Sequence, residues 1–284
     1  MEHRRSEVSA EPELPARRAH TIAVTSGKGG VGKSNIALNL AIGLAEMDAT
    51  VCLLDANMGL GNIDLMCGLN GYWNLSHVVT GARSLREIIL KGPGDIDVVP
   101  GASGLCDIAA CPPEAQQDIF GQLDELEANH DYIVIDTGTG IHKIVRQFVT
   151  AADIALVVTT TEPTSIADAY ATIKSLSTAD VEHLEVVINQ INTVEQGRAI
   201  NDRLQQTAKL FLKTKLASGA GIPHDPNVPL AVAQRKPFLV HAPQCPASRA
   251  IRQLARRIRT LTGVKPARGT FFPSMRKGLH LDVA

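Results

Sequence analysis

The chain has 284 residues, of which 44% are hydrophobic and 4% aromatic, and its formal net charge is −1. This length and composition suit one large α/β domain, and the near-zero charge excludes the global attraction to nucleic acid of a strongly basic protein. Its five cysteines include no C-x-x-C pair, which argues against a disulfide framework. This cysteine usage makes the cytoplasm the natural compartment, and since no apolar run approaches the roughly 18 residues of a membrane span, we expect a soluble or peripheral protein.

The N-terminal segment, residues 1–19, predicts a mobile arm. It mixes arginines with glutamates, contains two prolines and shows no apolar period. An ordered domain is expected to begin at residue 20 and to extend to residue 263. Residues 264–284 then form a C-terminal tail.

A glycine-rich loop lies between the first predicted strand, residues 21–25, and the first predicted helix, residues 35–44. It fits the pattern G-x-x-x-x-G-K-[ST], in which backbone N–H groups and a helix N-terminus surround phosphate groups. Lys33 would reach the β- and γ-phosphates of a nucleotide, and Ser34 would place its hydroxyl on Mg²⁺. The predicted phosphate-binding residues are Gly27, Lys28, Gly29, Gly30, Val31, Gly32, Lys33, Ser34 and Asn35.

Two later predicted strands each end in an acid. Residues 50–55 end at Asp55, and the apolar run of residues 132–136 ends at Asp136. In open α/β sheets, ligands bind at the carboxyl ends of the strands, and an acid at such an end meets Mg²⁺ or its water shell. Ser34, Asp55 and Asp136 are therefore the predicted metal ligands.

The rest of the chain continues the alternation of strands and helices. It predicts an α/β fold with a doubly wound, mostly parallel sheet and helices on both faces, joined by right-handed crossovers. The further strands are expected at residues 96–99, 154–159 and 184–188 and before 221–225, and the helices at residues 114–129, 141–151, 165–177 and 195–212.

Two C-terminal segments raise the question of a surface partner. Residues 246–261 predict a helix with five arginines, which we interpret as a sheet-covering helix with a solvated basic face. In the tail, apolar residues alternate with basic ones, so it is either a frayed end or a short amphipathic segment that binds an anionic membrane surface. The residues concerned are Phe271, Phe272, Met275, Arg276 and Lys277.

The second lysine of the loop, Lys28, carries more charge than one triphosphate site needs from its own chain. The run from Lys28 to Ser34 resembles the deviant Walker A motif of the MinD/ParA group of ATPases, and the resemblance covers nearly the whole ordered chain. In that group this lysine reaches the partner's phosphates, so ATP binding forms a homodimer and hydrolysis releases it. The resemblance implies ATP/ADP and Mg²⁺ as cofactors, and a catalytic set of Lys28, Lys33, Asp55, Asn57 and Asp136.

Within the group, several segments resemble the FlhG branch, also called FleN or YlxH, whose members set the number and placement of bacterial flagella. The run Thr-Glu-Pro-Thr at 161–164 separates this branch from MinD better than the phosphate loop does. The resemblance implies switch segments at 55–62 and 136–140, and base contacts from Asn189, Pro223 and Asp225. The segments concerned are residues 55–69, 100–104, 136–140, 161–164, 168–170 and 188–190.

The same resemblance implies partners. They are a second copy of the chain, an FlhF-like GTPase, flagellar basal-body or regulatory proteins, and the inner face of the cell membrane, bound peripherally through the tail; DNA is not expected. Residues 1–20 lack the Asp-Gln-Ala element with which many FlhG proteins stimulate the GTPase. The arm therefore has no assigned role.

Asn57 departs from the family pattern, in which a second acid stands two residues after the strand-ending one. An amide can hydrogen-bond the attacking water but cannot accept its proton, so slow hydrolysis is expected. Three alternatives stay open: a ParA- or MinD-like partition or division-site ATPase, a nucleotide-binding scaffold with little hydrolysis, and an iron–sulfur carrier. The cysteine spacing argues against the last one.

Overall fold

The computed structural model describes residues 18–57, 61–101, 108, 111–179, 181–264, 267–269 and 271–278. All but two residues of the expected N-terminal arm lie outside these ranges. The strands are β1 His20–Ser26, β2 Val51–Ala56, β3 Leu90–Lys91, β4 Asp97–Val99, β5 Tyr132–Thr139, β6 Ile154–Thr159, β7 His183–Ile191 and β8 Ala220–Pro223. The helices are α1 Lys33–Ala45, α2 Ile63–Met66, α3 Leu75–Val79, α4 Leu85–Ile88, α5 Pro113–Asn129, α6 Lys143–Ala151, α7 Pro163–Leu176, α8 Val194–Thr207, α9 Asn227–Ala233, α10 Phe238–His241, α11 Pro246–Val264 and α12 Phe271–Gly278.

The strands form one sheet in the order β3-β4-β2-β5-β1-β6-β7-β8. Every pairing is parallel except that of β3 with β4, which is antiparallel. The residues of β1, β2, β5 and β6 are buried almost without interruption, as expected of strands that are covered on both faces. The predicted doubly wound, mostly parallel sheet is confirmed.

Two hydrophobic layers cover the sheet. One contains α1, α9, α10 and α11, and the other contains the helices α3 to α8 together with α12. Helix α1 lies between the sheet and α11 and is buried almost all round, which explains why its sequence is apolar on every side. A Cβ placed on Gly43 would lie 3.4 and 3.5 Å from Ala255 and Ile251 of α11, which are ordinary contact distances, so α1 and α11 pack closely at this position.

The predicted helix at 195–212 is divided. Regular α8 ends at Thr207, and residues Ala208–Leu212 continue as one π-helical stretch that ends at Lys213 with a φ of 53°. Helix α11 runs three residues further than predicted, to Val264.

The basic face of α11 is largely used within the protein. Arg252 binds Glu46 with two nitrogens at 2.6 and 2.7 Å, and Arg257 pairs with the buried carboxylate of Glu185. Arg259 donates to the Met47 carbonyl at 2.9 Å. These contacts fit the interpretation of α11 as a sheet-covering helix, because three of its five arginines bind groups elsewhere in the protein.

The predicted amphipathic segment of the tail is helical, but its apolar face belongs to the core. Phe271, Phe272 and Met275 are at most 2% exposed and pack against α5 and α6. The Phe272 N–H donates to the buried carboxylate of Glu127 at 3.2 Å, an acid well placed at a helix N-terminus. In this conformation a bilayer could reach these side chains only if α12 undocked. Among the described helices, none has the length and apolar character that a membrane crossing needs.

Candidate functional site

The carboxyl ends of β1, β2 and β5 meet at the centre of one sheet edge. In the sheet β5 lies between β1 and β2, and Asp55 on β2 is the parallel neighbour of Asp136 on β5. Both carboxylates are buried, with exposed fractions of 1% and 0%. The order of the strands therefore places two acids beside the loop that follows β1.

The glycine-rich loop has the conformation that its sequence requires. Gly30 and Gly32 have φ values of 78° and 90°, a region that other residues rarely adopt. A Cβ at Gly29 or Gly30 would meet no atom within 4 Å, so open space lies where phosphates would enter. No described side chain caps α1, which leaves the N–H groups of its first turn, Lys33 to Asn35, facing this space.

Lys33 points into the protein. Its Nζ lies 2.5 Å from Asp136 Oδ1, and the side chain is only 5% exposed. The other carboxylate oxygen of Asp136 is buried and has no hydrogen-bond partner among the described residues. A buried unpaired oxygen is costly, so its presence beside a phosphate cradle indicates a ligand.

Burial disfavours the charged forms of both acids. It raises the pKa of Asp55 to about 6, helped by the neighbouring charge of Asp136. Burial also raises the pKa of Asp136, while Lys33 and the Ser34 hydroxyl act in the opposite direction. A divalent cation would favour ionisation of both groups, because opposite charge lowers a carboxyl pKa.

Asp55 also fixes the two ends of the predicted switch I. Its oxygens accept the backbone N–H groups of Asn57 at 3.2 Å and Ile63 at 3.3 Å. A Cβ at Gly61 would lie 2.7 Å from Asp55 Oδ2, so the chain passes directly over the acid. A Cβ placed on Gly138 would lie 4.0 Å from Asn57 Oδ1, so the two predicted switch segments lie close together. Residues 58–60 and 102–104, from two of the family-like segments, lie outside the described residues.

Lys28 lies on the outer side of the loop. Its Nζ donates to Glu162 Oε2 at 2.8 Å and to Thr164 Oγ1 at 3.1 Å. Both partners belong to the Thr-Glu-Pro-Thr run, which the sequence marked as typical of a branch but did not connect with the site. The strand order supplies the missing link, because β6 neighbours β1 and its following loop lies beside the phosphate loop.

The predicted base contacts make their hydrogen bonds inside the chain. Asn189 donates from its side chain to the Val31 carbonyl at 2.9 Å, which ties β7 to the phosphate loop. Asp225 accepts N–H groups from Asn227 and Ala247, and these bonds outweigh its burial and lower its pKa to about 2. Pro223 ends β8, next to Ile191. A base contact from these residues stays a prediction.

These residues fit a nucleotide with a divalent cation. The cradle is open, Lys33 stands at its base, and the Ser34 hydroxyl, Asp55 and Asp136 would offer hard oxygen ligands of the kind that Mg²⁺ prefers. A doubly wound sheet with this loop, two strand-end acids and a second loop lysine defines a P-loop ATPase of the MinD/ParA type.

Comparisons with known proteins agree with this class. The model of a family described as an AAA domain matches residues 19–205. The Pseudomonas aeruginosa antiactivator FleN is 37% identical over 84% of this chain and 85% of its own length. The flagellum site-determining protein YlxH of Helicobacter pylori is 38% identical over 66% of this chain and 64% of its own.

The solved structures share the fold. The septum site-determining protein MinD of Pyrococcus horikoshii, complexed with Mg-ADP, superposes with a TM-score of 0.68 at 22% identity, over 87% of this chain and 98% of that one. The chain therefore belongs to the MinD/ParA family of ATPases, in its FlhG-like branch with FleN and YlxH.

Proposed function

We propose that this chain is an ATP-dependent dimerisation switch that controls the number and placement of bacterial flagella. The observation that carries the proposal is the difference between the two loop lysines. Lys33 is buried and binds Asp136 of the sheet, whereas Lys28 is exposed on the outer side of the same loop. The kinship with FleN and YlxH supports the flagellar assignment. Flagellar regulatory proteins and an FlhF-like GTPase are the partners that this role implies.

In the proposed binding step, Lys33 exchanges its carboxylate partner for the phosphates of the nucleotide. The lysine leaves Asp136 and binds the β- and γ-phosphates, while the N–H groups of the loop and of the first turn of α1 surround them. Asp136, Asp55 and Ser34 are then available to Mg²⁺, which neutralises the negative charge of the phosphates. The Mg-ADP in the related MinD structure is consistent with this arrangement.

The proposed dimer depends on Lys28. From the outer side of the loop, its side chain can reach phosphates that a second subunit holds across a shared face. A cation supplied in this way stabilises the dimer only while the phosphates are present, so hydrolysis and phosphate release would separate the subunits.

Sedimentation velocity tests the switch. We expect monomers with ADP and Mg²⁺, and dimers with a non-hydrolysable ATP analogue and Mg²⁺. Lys28→Ala should bind the analogue yet stay monomeric, and the control Lys174→Ala, which removes another exposed lysine, should dimerise normally. Dimers of Lys28→Ala as stable as those of the wild type would refute the mechanism.

The rate of hydrolysis is a separate part of the proposal. Asn57 cannot act as a base, so we propose slow turnover through positioning by Asp55 and Asp136. Asn57→Asp should increase phosphate release by roughly tenfold or more, because a positioned base typically contributes 10²–10⁴-fold. If neither form hydrolyses ATP, the chain is a nucleotide-reading scaffold.

Membrane binding requires α12 to undock, since its apolar face is buried. We propose that the ATP-bound dimer releases it to an anionic bilayer. Co-sedimentation with anionic liposomes should therefore depend on ATP and on residues 264–284; pelleting that is equal with ADP and ATP, or retained after truncation, contradicts this.

A further inference from the structure

The Thr-Glu-Pro-Thr run contacts the lysine on which the dimer would depend, and none of the preceding roles accounts for this contact. We propose that Glu162 is the resting counter-ion of Lys28, which holds this lysine on its own subunit and so raises the ATP concentration at which two subunits pair. The inference rests on the proposed dimerisation switch and names a regulator of that same site.

The contact has two acceptors that converge on one ammonium group. Glu162 Oε2 and Thr164 Oγ1 lie 2.8 and 3.1 Å from Lys28 Nζ, and they flank Pro163 at the start of α7. The ammonium group has three hydrogens, so this pair satisfies most of its donors. Lys28 is thus held in a defined position rather than left extended in solvent.

The corner that carries both acceptors is rigid. Ser165 Oγ accepts the Thr160 N–H at 3.0 Å and bonds the Thr159 hydroxyl at 2.9 Å, inside the protein. Pro163 fixes the backbone at the first position of α7. The backbone that carries the acceptors therefore keeps its place when the lysine leaves, and return of the lysine needs no refolding.

The loop that carries Lys28 is equally fixed at its base. A Cβ at Gly27 would lie only 2.4 Å from the Asp168 carbonyl oxygen of α7, so loop and helix are in direct backbone contact. The Ser26 hydroxyl donates to the Lys28 carbonyl at 3.0 Å. With both supports fixed, the long lysine side chain is the part that can exchange partners.

The pair is weak enough to be broken by phosphate. The side chains of Lys28 and Glu162 are 38% and 65% exposed, and an exposed ion pair changes an equilibrium by about 1.4- to 5-fold. A triphosphate carries several charges against the single charge of a carboxylate. Glu162 therefore weakens dimerisation without preventing it.

Each dimer would break two such pairs, one in each subunit. Because each of the two monomers must release its own Lys28, removing the carboxylate lowers the dimer dissociation constant by the square of the effect of one pair, about 2- to 30-fold. Binding of ADP to the monomer would not change, because Lys28 does not take part in it.

The experiment measures the dimer dissociation constant of the full chain by sedimentation velocity, with a non-hydrolysable ATP analogue and Mg²⁺. Glu162→Gln keeps the shape and removes the charge, and should dimerise 2- to 30-fold more tightly. Thr164→Val removes the second acceptor and should give a change of about twofold in the same direction. Glu195→Gln, an exposed acid in the first turn of α8, is the matched control and should have no effect.

A double variant separates a counter-ion from a general charge effect. In the Lys28→Ala background, Glu162→Gln should not restore dimerisation, because the lysine that it holds is gone. If Glu162→Gln forms weaker dimers, the inference is wrong and this acid lies in the subunit interface. If the dimer dissociation constant is unchanged, the inference is also wrong, because the ion pair then has no effect on dimerisation.

Failure of the inference differs from failure of the switch itself. If the wild type stays monomeric with the ATP analogue, the dimerisation mechanism is wrong. If the wild type dimerises and Lys28→Ala does not, while Glu162→Gln behaves as the wild type, the switch stands and only the role of Glu162 is refuted.

Discussion

Lys28 and Lys33 stand five residues apart on one glycine-rich loop and lie in different surroundings. Lys33 is 5% exposed and binds a fully buried carboxylate on the neighbouring strand. Lys28 is 38% exposed and binds Glu162, which is itself 65% exposed. The same residue type thus forms one buried and one surface ion pair, within a single loop.

The difference decides what each lysine can do. Breaking a buried pair by removing one partner costs about 3–5 kcal/mol, whereas an exposed pair contributes about 0–1 kcal/mol. Lys33 can leave Asp136 only when something of opposite charge enters the cradle with it. Lys28 can leave at little cost, which suits a group that acts on a second subunit.

Nucleotide affinity provides the largest test of this contrast. Lys33→Ala should lower the affinity of the monomer for ADP about 100-fold, since charge-assisted hydrogen bonds to the phosphates are lost. Lys28→Ala should change it by less than about twofold. Isothermal titration calorimetry measures both constants, and equal losses in the two variants would remove the distinction between the lysines.

The pH dependence of stability tests the same contrast for the acids, because Asp55 is buried and Glu162 is exposed. The pKa of Asp55 is about 6 in the folded protein against an ordinary value of 3.8, so between these pH values the folded state holds a proton that the unfolded chain has released. Stability therefore falls as pH rises from about 4 to 6, by up to about 3 kcal/mol from this group. Urea unfolding of the nucleotide-free protein should show the fall.

Asp55→Asn should remove this fall and raise the free energy of unfolding at pH 7.5 by up to about 3 kcal/mol, with little gain at pH 4. Glu162→Gln is the matched comparison, because it removes an exposed acid whose pair contributes about 1 kcal/mol at most. A pH profile of Asp55→Asn that parallels the wild type would show that the buried acid does not destabilise the site.

The two glycines beside Lys28 provide the smallest test. Gly27→Ala should lower the free energy of unfolding by about 1–3 kcal/mol, because its Cβ would overlap the backbone of α7. Gly29→Ala should change stability by less than about 0.5 kcal/mol, since open space surrounds that position, and should weaken ADP binding instead. Thermal unfolding and calorimetry separate the two outcomes, and equal stability losses would contradict the loop geometry.

Much of the phosphate site could be predicted from local sequence. The positive φ values of Gly30 and Gly32, the acids at the ends of β2 and β5, and the apolar strands all follow from residues close together in the chain. The contact of Lys28 with Glu162 could not, because 134 residues separate them and only the pairing of β1 with β6 brings them together.

The tail shows the same limit. Its amphipathic pattern left a frayed end and a membrane-binding segment as alternatives, and residues 271–278 form a helix. The pattern could not tell which apolar surface covers that helix, because lipid and the groove between α5 and α6 offer the same hydrophobic gain. Glu127, which accepts the N–H of Phe272 in the first turn of the docked helix, comes from a distant part of the chain.

The sequence by itself determined the loop conformation, the strand-end acids and the class of ATPase, because each depends on short-range spacing and on strands long enough to be buried. The tertiary structure decided the partners of the two lysines and the burial of α12. Strand order and helix packing bring distant residues into contact, and burial then sets whether an ion pair is firmly held or free to exchange.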